Sequence, residues 1–184
     1  MDLVWPSRAY LAGYVDALER GWSPDNLRGA EAAREQLARI GEDADAFLAG
    51  LVDRRAAGTV TLPDGSQAPR IPGYRRWMWD GEFCGAIGFR WQPGTEALPP
   101  HCLGHIGYAV VPWKRRRGYA TQALGEILED AKAEGLRYVE ITTRPDNVAS
   151  QRVIEANRGV FLEEFSTPAP LGGHREFRYR VHFT

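Results

Sequence analysis

Val110-Val111-Pro112-Trp113-Lys114-Arg115-Arg116-Arg117-Gly118-Tyr119-Ala120-Thr121 joins an apolar strand to an amphipathic helix through a basic turn that contains glycine. A helix start leaves several backbone N–H groups without intrahelical acceptors, and the macrodipole is positive there. A phosphate or pyrophosphate satisfies both, and arginines add charge-assisted bonds. Gly118 and Ala120 keep the approach clear of bulky side chains. The plain alternative is a solvated basic loop, which is what runs of like charge usually are. Two details weigh against it. Cations at a helix N-terminus oppose the macrodipole unless an anion intervenes, and glycine after three arginines lowers helix stability without an evident packing reason.

Outward from this turn the chain alternates between the two periods of regular structure. His105 to Val111 reads as the strand that feeds the turn. After it, Ala120, Leu124, Ile127, Leu128 and Ala131 share one helix face, and Gly135 is a suitable stop. Tyr138 to Thr143 is a strand, so the strand, helix and strand form a crossover unit, which argues for local parallel pairing. Pro145-Asp146-Asn147 opens a further helix that Gly159 closes, and Val160 to Phe165 resumes extended structure. Phe177, Tyr179, Val181 and Phe183 then alternate with Arg178, Arg180 and His182, the pattern of a half-buried antiparallel strand.

Upstream, Leu3-Val4-Trp5 forms a short strand, and Ser7 is placed to cap a helix carrying Leu11, Tyr14, Val15 and Leu18 that ends at Gly21. Two more helical segments follow, Gly29 to Ile40 and Ala46 to Val52. Thr59 to Leu62 begins the strand-rich part, with turns at Asp64-Gly65 and in the Pro69 to Gly73 loop. Arg75 to Trp79 and Glu82 to Trp91 flank Asp80-Gly81, the signal of a two-residue hairpin turn with positive φ at both positions. Gln92 to Pro100, with three prolines and a glycine, is a loop.

At 184 residues the chain is expected to form one domain with a sizeable core. A net charge of −1 excludes a dedicated nucleic-acid binder, so the arginine cluster is local. Cys84 and Cys102 offer neither a disulfide framework nor metal spacing. No apolar run spans a bilayer, and Met1-Asp2-Leu3-Val4 lacks the basic and apolar regions of a signal peptide. The expectation is a cytoplasmic protein with no metal, no nucleic acid and no membrane as partner.

The spacing Arg115-x-x-Gly118-x-Ala120 resembles the coenzyme A pyrophosphate signature of the GNAT acetyltransferase superfamily, Arg/Gln-x-x-Gly-x-Gly/Ala. Asn147-x-x-Ser150-x-x-Val153-x-Glu155-x-x-x-Gly159 resembles the family's second helix, in the family's order. The closest resemblance is to the branch that includes ribosomal-protein N-terminal acetyltransferases. It implies one α/β domain over 1–184: a mostly antiparallel sheet of six or seven strands with a central parallel pair, and helices on both faces. Residues 1–58 would be mainly helical, and 103–165 the acetyl-CoA-binding core.

The same resemblance implies roles. Acetyl-CoA is the co-substrate, held by Arg115, Arg116, Arg117, Gly118, Tyr119, Ala120 and Thr121 at its pyrophosphate and by main-chain groups of Ala109, Val110 and Val111 along the pantetheine. That strand would part from its parallel neighbour to admit the pantetheine and direct one N–H at the thioester oxygen. Asn147 would reach the pantetheine region and Ser150 or Arg152 the cofactor's far end; the ordinary reading of Asn147 is a helix N-cap. The activity implied is acetyl transfer to a primary amine on a small molecule or peptide, by direct attack in a ternary complex. The protein would be a monomer or homodimer. Alternatives are protein N-terminal or other acyl transfer, or a non-catalytic acyl-CoA sensor. A Walker-type nucleotide site is disfavoured because no Lys-Ser/Thr follows Gly118.

Many members carry a tyrosine on the second helix as acid for the departing thiolate, and Ile154 stands at that position. A thiol of pKa about 8.5 leaves tolerably as an anion, whereas an alkylamine of pKa about 10 must lose a proton before attacking. The base is therefore the more demanding role. Glu140 is the leading candidate, with His105 second and Tyr108 a third, as relay or thiol acid; a water relay is the remaining route. Trp77, Trp79, Trp91 and Trp113 could rim an acceptor cleft, though core packing is the commoner fate of tryptophan.

Overall fold

The expected succession of helices and strands is present in the computed structural model, which describes residues 1–25, 28–61 and 65–183. In chain order the elements are β1 (Asp2–Val4), α1 (Arg8–Glu19), α2 (Ala30–Glu42), α3 (Ala44–Gly50), β2 (Val52–Asp53), β3 (Thr59–Thr61), β4 (Gln67–Pro69), β5 (Gly73–Trp79) and β6 (Phe83–Arg90). Then come β7 (Ile106–Val110), α4 (Tyr119–Ala133), β8 (Tyr138–Thr143), α5 (Val148–Ala156), β9 (Val160–Ser166) and β10 (Arg175–His182). The fold is mixed α/β. Leu62, Pro63 and the Asp64 half of the Asp64-Gly65 turn lie outside the described residues.

Two compact units emerge, each built from separated stretches of chain: Met1–Asp53, Tyr74–Gly88 and Tyr108–Ala123 in the first, and Arg54–Gly73, Phe89–Gly107 and Leu124–Thr184 in the second. The core of the first unit is aromatic. Tyr14 of α1 stacks on Trp77 of β5 with centroids 4.5 Å apart, and Phe83 and Trp22 meet Tyr14 edge-on at 5.2 and 5.6 Å. Leu11, Leu18, Phe47, Leu48 and Val111 complete it. Ser7 occupies the N-cap position of α1 but its side chain makes no capping bond, whereas the Asp43 carboxylate caps α3 by accepting from the N–H groups of Asp45 and Ala46, both at 3.0 Å. Val52 does not continue α3 as its periodicity suggests. The Arg75 N–H donates to the Leu51 carbonyl at 2.9 Å, and the next two residues pair with β5 as β2.

The strands divide into sheets of order β1-β5-β6-β7, with β2 also on β5; β8-β10-β9; and the β3-β4 hairpin. The sequence leads one to expect a central parallel pair of β7 and β8; here each ends its own sheet. The lead-in to that pair survives within the second unit, where the His105 N–H donates to the Glu140 carbonyl at 2.7 Å. The next donor on β8, the Glu140 N–H, goes to His105 Nδ1 at 2.9 Å, so an imidazole takes the place of a ladder carbonyl. Between β5 and β6 only Gly81 has positive φ, at 103°, so the turn is not the type I′ that Asp80-Gly81 suggests. Asp80 keeps an ordinary backbone and uses its carboxylate elsewhere.

In the second unit β10 pairs antiparallel with β8 and β9. The alternation is as expected: Tyr179 and Val181 are buried against one face, and Arg178 and Arg180 point from the other. Trp91 stacks on Phe89 at 5.0 Å in this unit's interior, and Trp77 is fully buried in the other, so neither rims a cleft. Trp79 lies against Tyr10, and Trp113 carries the Arg20 guanidinium 3.6 Å above its ring.

Candidate functional site

The basic turn begins where β7 stops. The Val111 N–H donates to the Cys84 carbonyl on β6 at 2.9 Å, and Pro112–Lys114 make one turn of 3-10 helix. Arg115 is extended, Arg116 is left-handed at φ 59°, and Gly118 is left-handed at φ 78°. The Gln122 N–H bonds the Gly118 carbonyl at 3.0 Å, so Gly118 is the N-cap of the 15-residue α4. By helix geometry the N–H groups just after it have no intrahelical acceptor, and the positive end of the dipole lies here. Arg115, Arg116, Arg117 and Gly118 are all exposed, and a Cβ built on Gly118 meets no heavy atom within 4 Å. An anion can reach this turn without displacing anything nearby.

Beneath it lies a carboxylate the sequence presents only as a turn residue. Asp80 receives the Lys114 ammonium at 2.9 and 3.1 Å and the Tyr119 hydroxyl at 2.5 Å, with Arg117 3.9 Å away. Glu82 is a second partner of Lys114 at 2.9 Å. The bond from Tyr119, with those from Lys114, holds the Asp80 carboxyl far below the usual carboxylate range. Asp80, and next Glu82, raise Lys114 above the ordinary ammonium value. Of four consecutive cations, therefore, Lys114 is held closest by protein carboxylates, while the three arginines are exposed and Arg117 lies at the edge of ion-pair distance from Asp80. Cys84 nearby is pushed up to about 12, chiefly by burial and then by Asp80, so it stays a thiol.

The β6 and β7 backbones approach closely at Gly85, where a Cβ would lie 2.4 Å from the Ala109 carbonyl oxygen and 2.9 Å from the Val110 Cα. Only glycine fits, a requirement that isolated reading of β6 does not reveal. Tyr108, Ala109 and Val110 are half-buried, while Val111 is fully buried in the core. The Arg115 Nε–H donates to the Val110 carbonyl at 3.3 Å, tying the turn back to the strand.

In the second unit Asn147 caps α5: its Oδ1 accepts the Ser150 N–H at 3.1 Å. Asn147 and Arg152 are exposed and Ser150 is half-buried. Ile154 is fully buried, packed so tightly on Gly159 that a Cβ there would fall 2.3 Å from its Cγ2. This position supplies no proton.

The two leading base candidates adjoin each other, but their partners suit them poorly to the role. Each Glu140 oxygen holds an arginine, Oε1 with Arg180 at 2.6 Å and Oε2 with Arg178 at 2.7 Å. Burial pushes the Glu140 carboxyl up, yet the bonds from Arg180 and Arg178 outweigh it and leave the group below its ordinary range. A carboxylate so held is a weak proton acceptor near neutrality. His105 is fully buried, its Nδ1 accepts the Glu140 N–H, and the neutral ring must therefore carry its proton on Nε2. Burial lowers its pKa further. Nε2 is then a donor, and the Nδ1 lone pair is engaged by the Glu140 N–H, so the neutral ring has no free lone pair to take a proton. Glu140 and Arg178 also line a cavity of about 470 Å³, together with Pro99, Pro100, Tyr138 and Phe165. Sequence reading placed Arg178 and Arg180 on a solvated strand face and could not foresee that they converge on Glu140. Among the described residues no group of three or more His, Cys, Asp or Glu is placed to hold a metal ion.

The fold is mixed α/β, and its glycine-capped basic turn at the head of a long helix offers the groups that an anion would need. The family assignment follows from the sequence itself: residues 64–160, more than half of the chain, match the Acetyltransferase (GNAT) family, and the chain belongs to that family. It is an acetyl-CoA-dependent N-acetyltransferase. Among solved structures the fold is similar to the Salmonella typhimurium acetyltransferase that modifies the N-terminal serine of ribosomal protein L7/L12 (TM-score 0.64, 16% identity, 99% of this chain and 94% of that one). It is similar also to the Microcin C7 self-immunity acetyltransferase MccE, solved with acetyl-CoA and AMP (0.63, 11%, 98% and 91%), and to Mycobacterium smegmatis RimJ, solved with a coenzyme A disulfide (0.59, 18%, 95% and 76%). No curated protein sequence matches the chain significantly.

Proposed function

We propose that the chain works as one acetyltransferase domain that moves the acetyl group of acetyl-CoA to a primary amine, on a small molecule or a peptide N-terminus, by direct attack in a ternary complex. The observation that carries this reading is the open turn of Arg115, Arg116, Arg117 and Gly118 at the head of α4, which suits a pyrophosphate. Main-chain groups of Ala109 and Val110 hold the pantetheine, and Asn147, Ser150 and Arg152 are the further cofactor contacts; Val111, expected beside them, is fully buried with its N–H on the Cys84 carbonyl and its own carbonyl on the Lys114 N–H, so it offers no free donor. The cap on α5 uses only the Asn147 Oδ1, which leaves its amide nitrogen as a donor. A direct attack is supported by the cysteines, since burial raises both thiols above their ordinary value.

The acceptor enters the cavity beside Glu140, whose walls combine apolar and aromatic side chains with Arg178 and the carboxylates of Glu96 and Glu140. Glu140 fixes Arg178 and Arg180 there instead of removing the proton. The amine loses its proton to water and attacks as the free base. The expected signature is a kcat/KM that rises with pH toward the pKa of the amine, near 10 for an alkylamine, with no inflection in the carboxylate or histidine range.

The test is thiol release from acetyl-CoA against pooled amines, peptides and aminoglycosides. Release that requires both acetyl-CoA and one acceptor class supports the proposal. Tight coenzyme A binding without turnover on any pool would turn the reading into that of an acyl-CoA sensor. For the proton, Glu140→Gln should retain turnover within about tenfold; a loss of about 10² to 10⁴, partly rescued at high pH, would restore Glu140 as the base.

A further inference from the structure

The Asp80 cluster has no part in the chemistry proposed above, and its geometry is specific. One carboxylate, on the hairpin between β5 and β6, binds Lys114 and Tyr119, the two residues that bracket Arg115 to Gly118. The site is sheltered: the Asp80 and Lys114 side chains are 16% and 11% exposed. Between the two anchors the backbone passes through two left-handed residues, Arg116 and Gly118. Gly118 adopts this region freely, but a left-handed arginine persists only where its surroundings hold it. Tyr119 is also the first residue of α4, so its hydroxyl fixes the helix start while its own N–H remains directed by the helix geometry.

Resting on the reading that this turn takes the cofactor's pyrophosphate, we propose that Asp80 is a positioning residue for coenzyme A, clamping Lys114 and Tyr119 so that the turn is held in its binding conformation before the ligand arrives. The binding cost of ordering the turn is then met in the free protein, which raises affinity without any contact between Asp80 and the ligand. Lys114 is taken out of phosphate contact by the same clamp, since both of its ion-pair partners are Asp80 and Glu82.

The sign of the effect separates this role from plain electrostatics. Asp80 is an anion close to an anion site, so on charge alone Asp80→Asn would tighten coenzyme A binding, and it would also release Lys114 toward the phosphates. The clamp requires the opposite. Tyr119→Phe is the cleaner second variant, because it removes only the hydroxyl that donates to Asp80 and changes no charge.

Calorimetry on the full chain with coenzyme A, and with pantetheine as the probe that lacks the pyrophosphate, tests the assignment; a thermal melt reports folding. Asp80→Asn and Tyr119→Phe should each weaken coenzyme A about tenfold, the scale of a hydrogen bond to a charged group, and leave pantetheine affinity as in the parent. The double variant should lose less than the product of the two, because Asp80→Asn weakens the same bond that Tyr119→Phe removes. Coenzyme A affinity that is unchanged or tighter in both variants overturns the clamp and leaves the pyrophosphate reading intact. Equal losses for coenzyme A and pantetheine overturn it too, as a general loosening. A parent that fails to bind coenzyme A overturns the pyrophosphate reading itself.

Discussion

Glu140 shows how partners decide what a side chain can do. Its two arginines make it a half-buried hub of charge, with Glu163 also bonded to Arg178 at 3.0 Å. Its folded pKa is lowered, so the stability it contributes is fully present above the unfolded value near 4.3 and is lost as pH falls through the lower folded value. Glu140→Gln takes the carboxylate from Arg180 and leaves Arg178 with Glu163 alone, and should cost about 1 to 3 kcal/mol near neutrality. Urea unfolding from pH 7 to pH 3 checks both points: the parent should lose stability below the carboxylate range, and the variant should lose less over the same interval. Gly118 is the second residue with a sharp expectation. Its φ of 78° disfavours any side chain, and the space above it is where an anion approaches. Gly118→Val should reduce coenzyme A affinity by at least about tenfold with about 1 to 2 kcal/mol of strain, read by calorimetry and by melting.

Among the elements, α5 carries the most evident division between structure and binding. Asn147→Ala removes the acceptor for the Ser150 N–H and should destabilise the protein by about 1 kcal/mol. Asn147→Asp keeps an acceptor and adds a charge that the helix dipole favours, so stability should be equal or slightly higher. It also removes the amide N–H donor. If Asn147 is a cofactor ligand, Asn147→Asp should bind acetyl-CoA more weakly while melting like the parent; equal binding would leave the cap as the residue's only role. The α4 element is different in kind, because its C-terminal stretch is fixed by burial of Leu124, Ile127, Leu128 and Ala131, whereas its first turn is held by the Asp80 and Tyr119 contact.

For the whole molecule, a net charge of −1 coexists with one exposed run of three arginines, so attraction for an anionic ligand is local. Coenzyme A affinity should fall with salt, by about tenfold or less between low and moderate ionic strength, because exposed charges are screened over about 10 Å at 0.1 M. Affinity independent of salt would remove the arginines from binding. No helix among the described residues is long and apolar enough to cross a membrane. The sequence by itself determined the features encoded between near neighbours. The start of α4 after Gly118, the Asn147 cap of α5 and the two-residue alternation of β10 each follow from spacings of one to four residues, and they were legible for that reason. The pyrophosphate motif is equally local. Tertiary structure alone decided which groups meet. Asp80 reaches Lys114 and Tyr119 across 34 and 39 positions, Glu140 reaches Arg178 and Arg180 across 38 and 40, and His105 accepts the Glu140 N–H across 35. Those pairings depend on how strands pair and turns fold back, and proton affinity depends on distance and burial, so no local pattern could show which partners Asp80, Glu140 and His105 have.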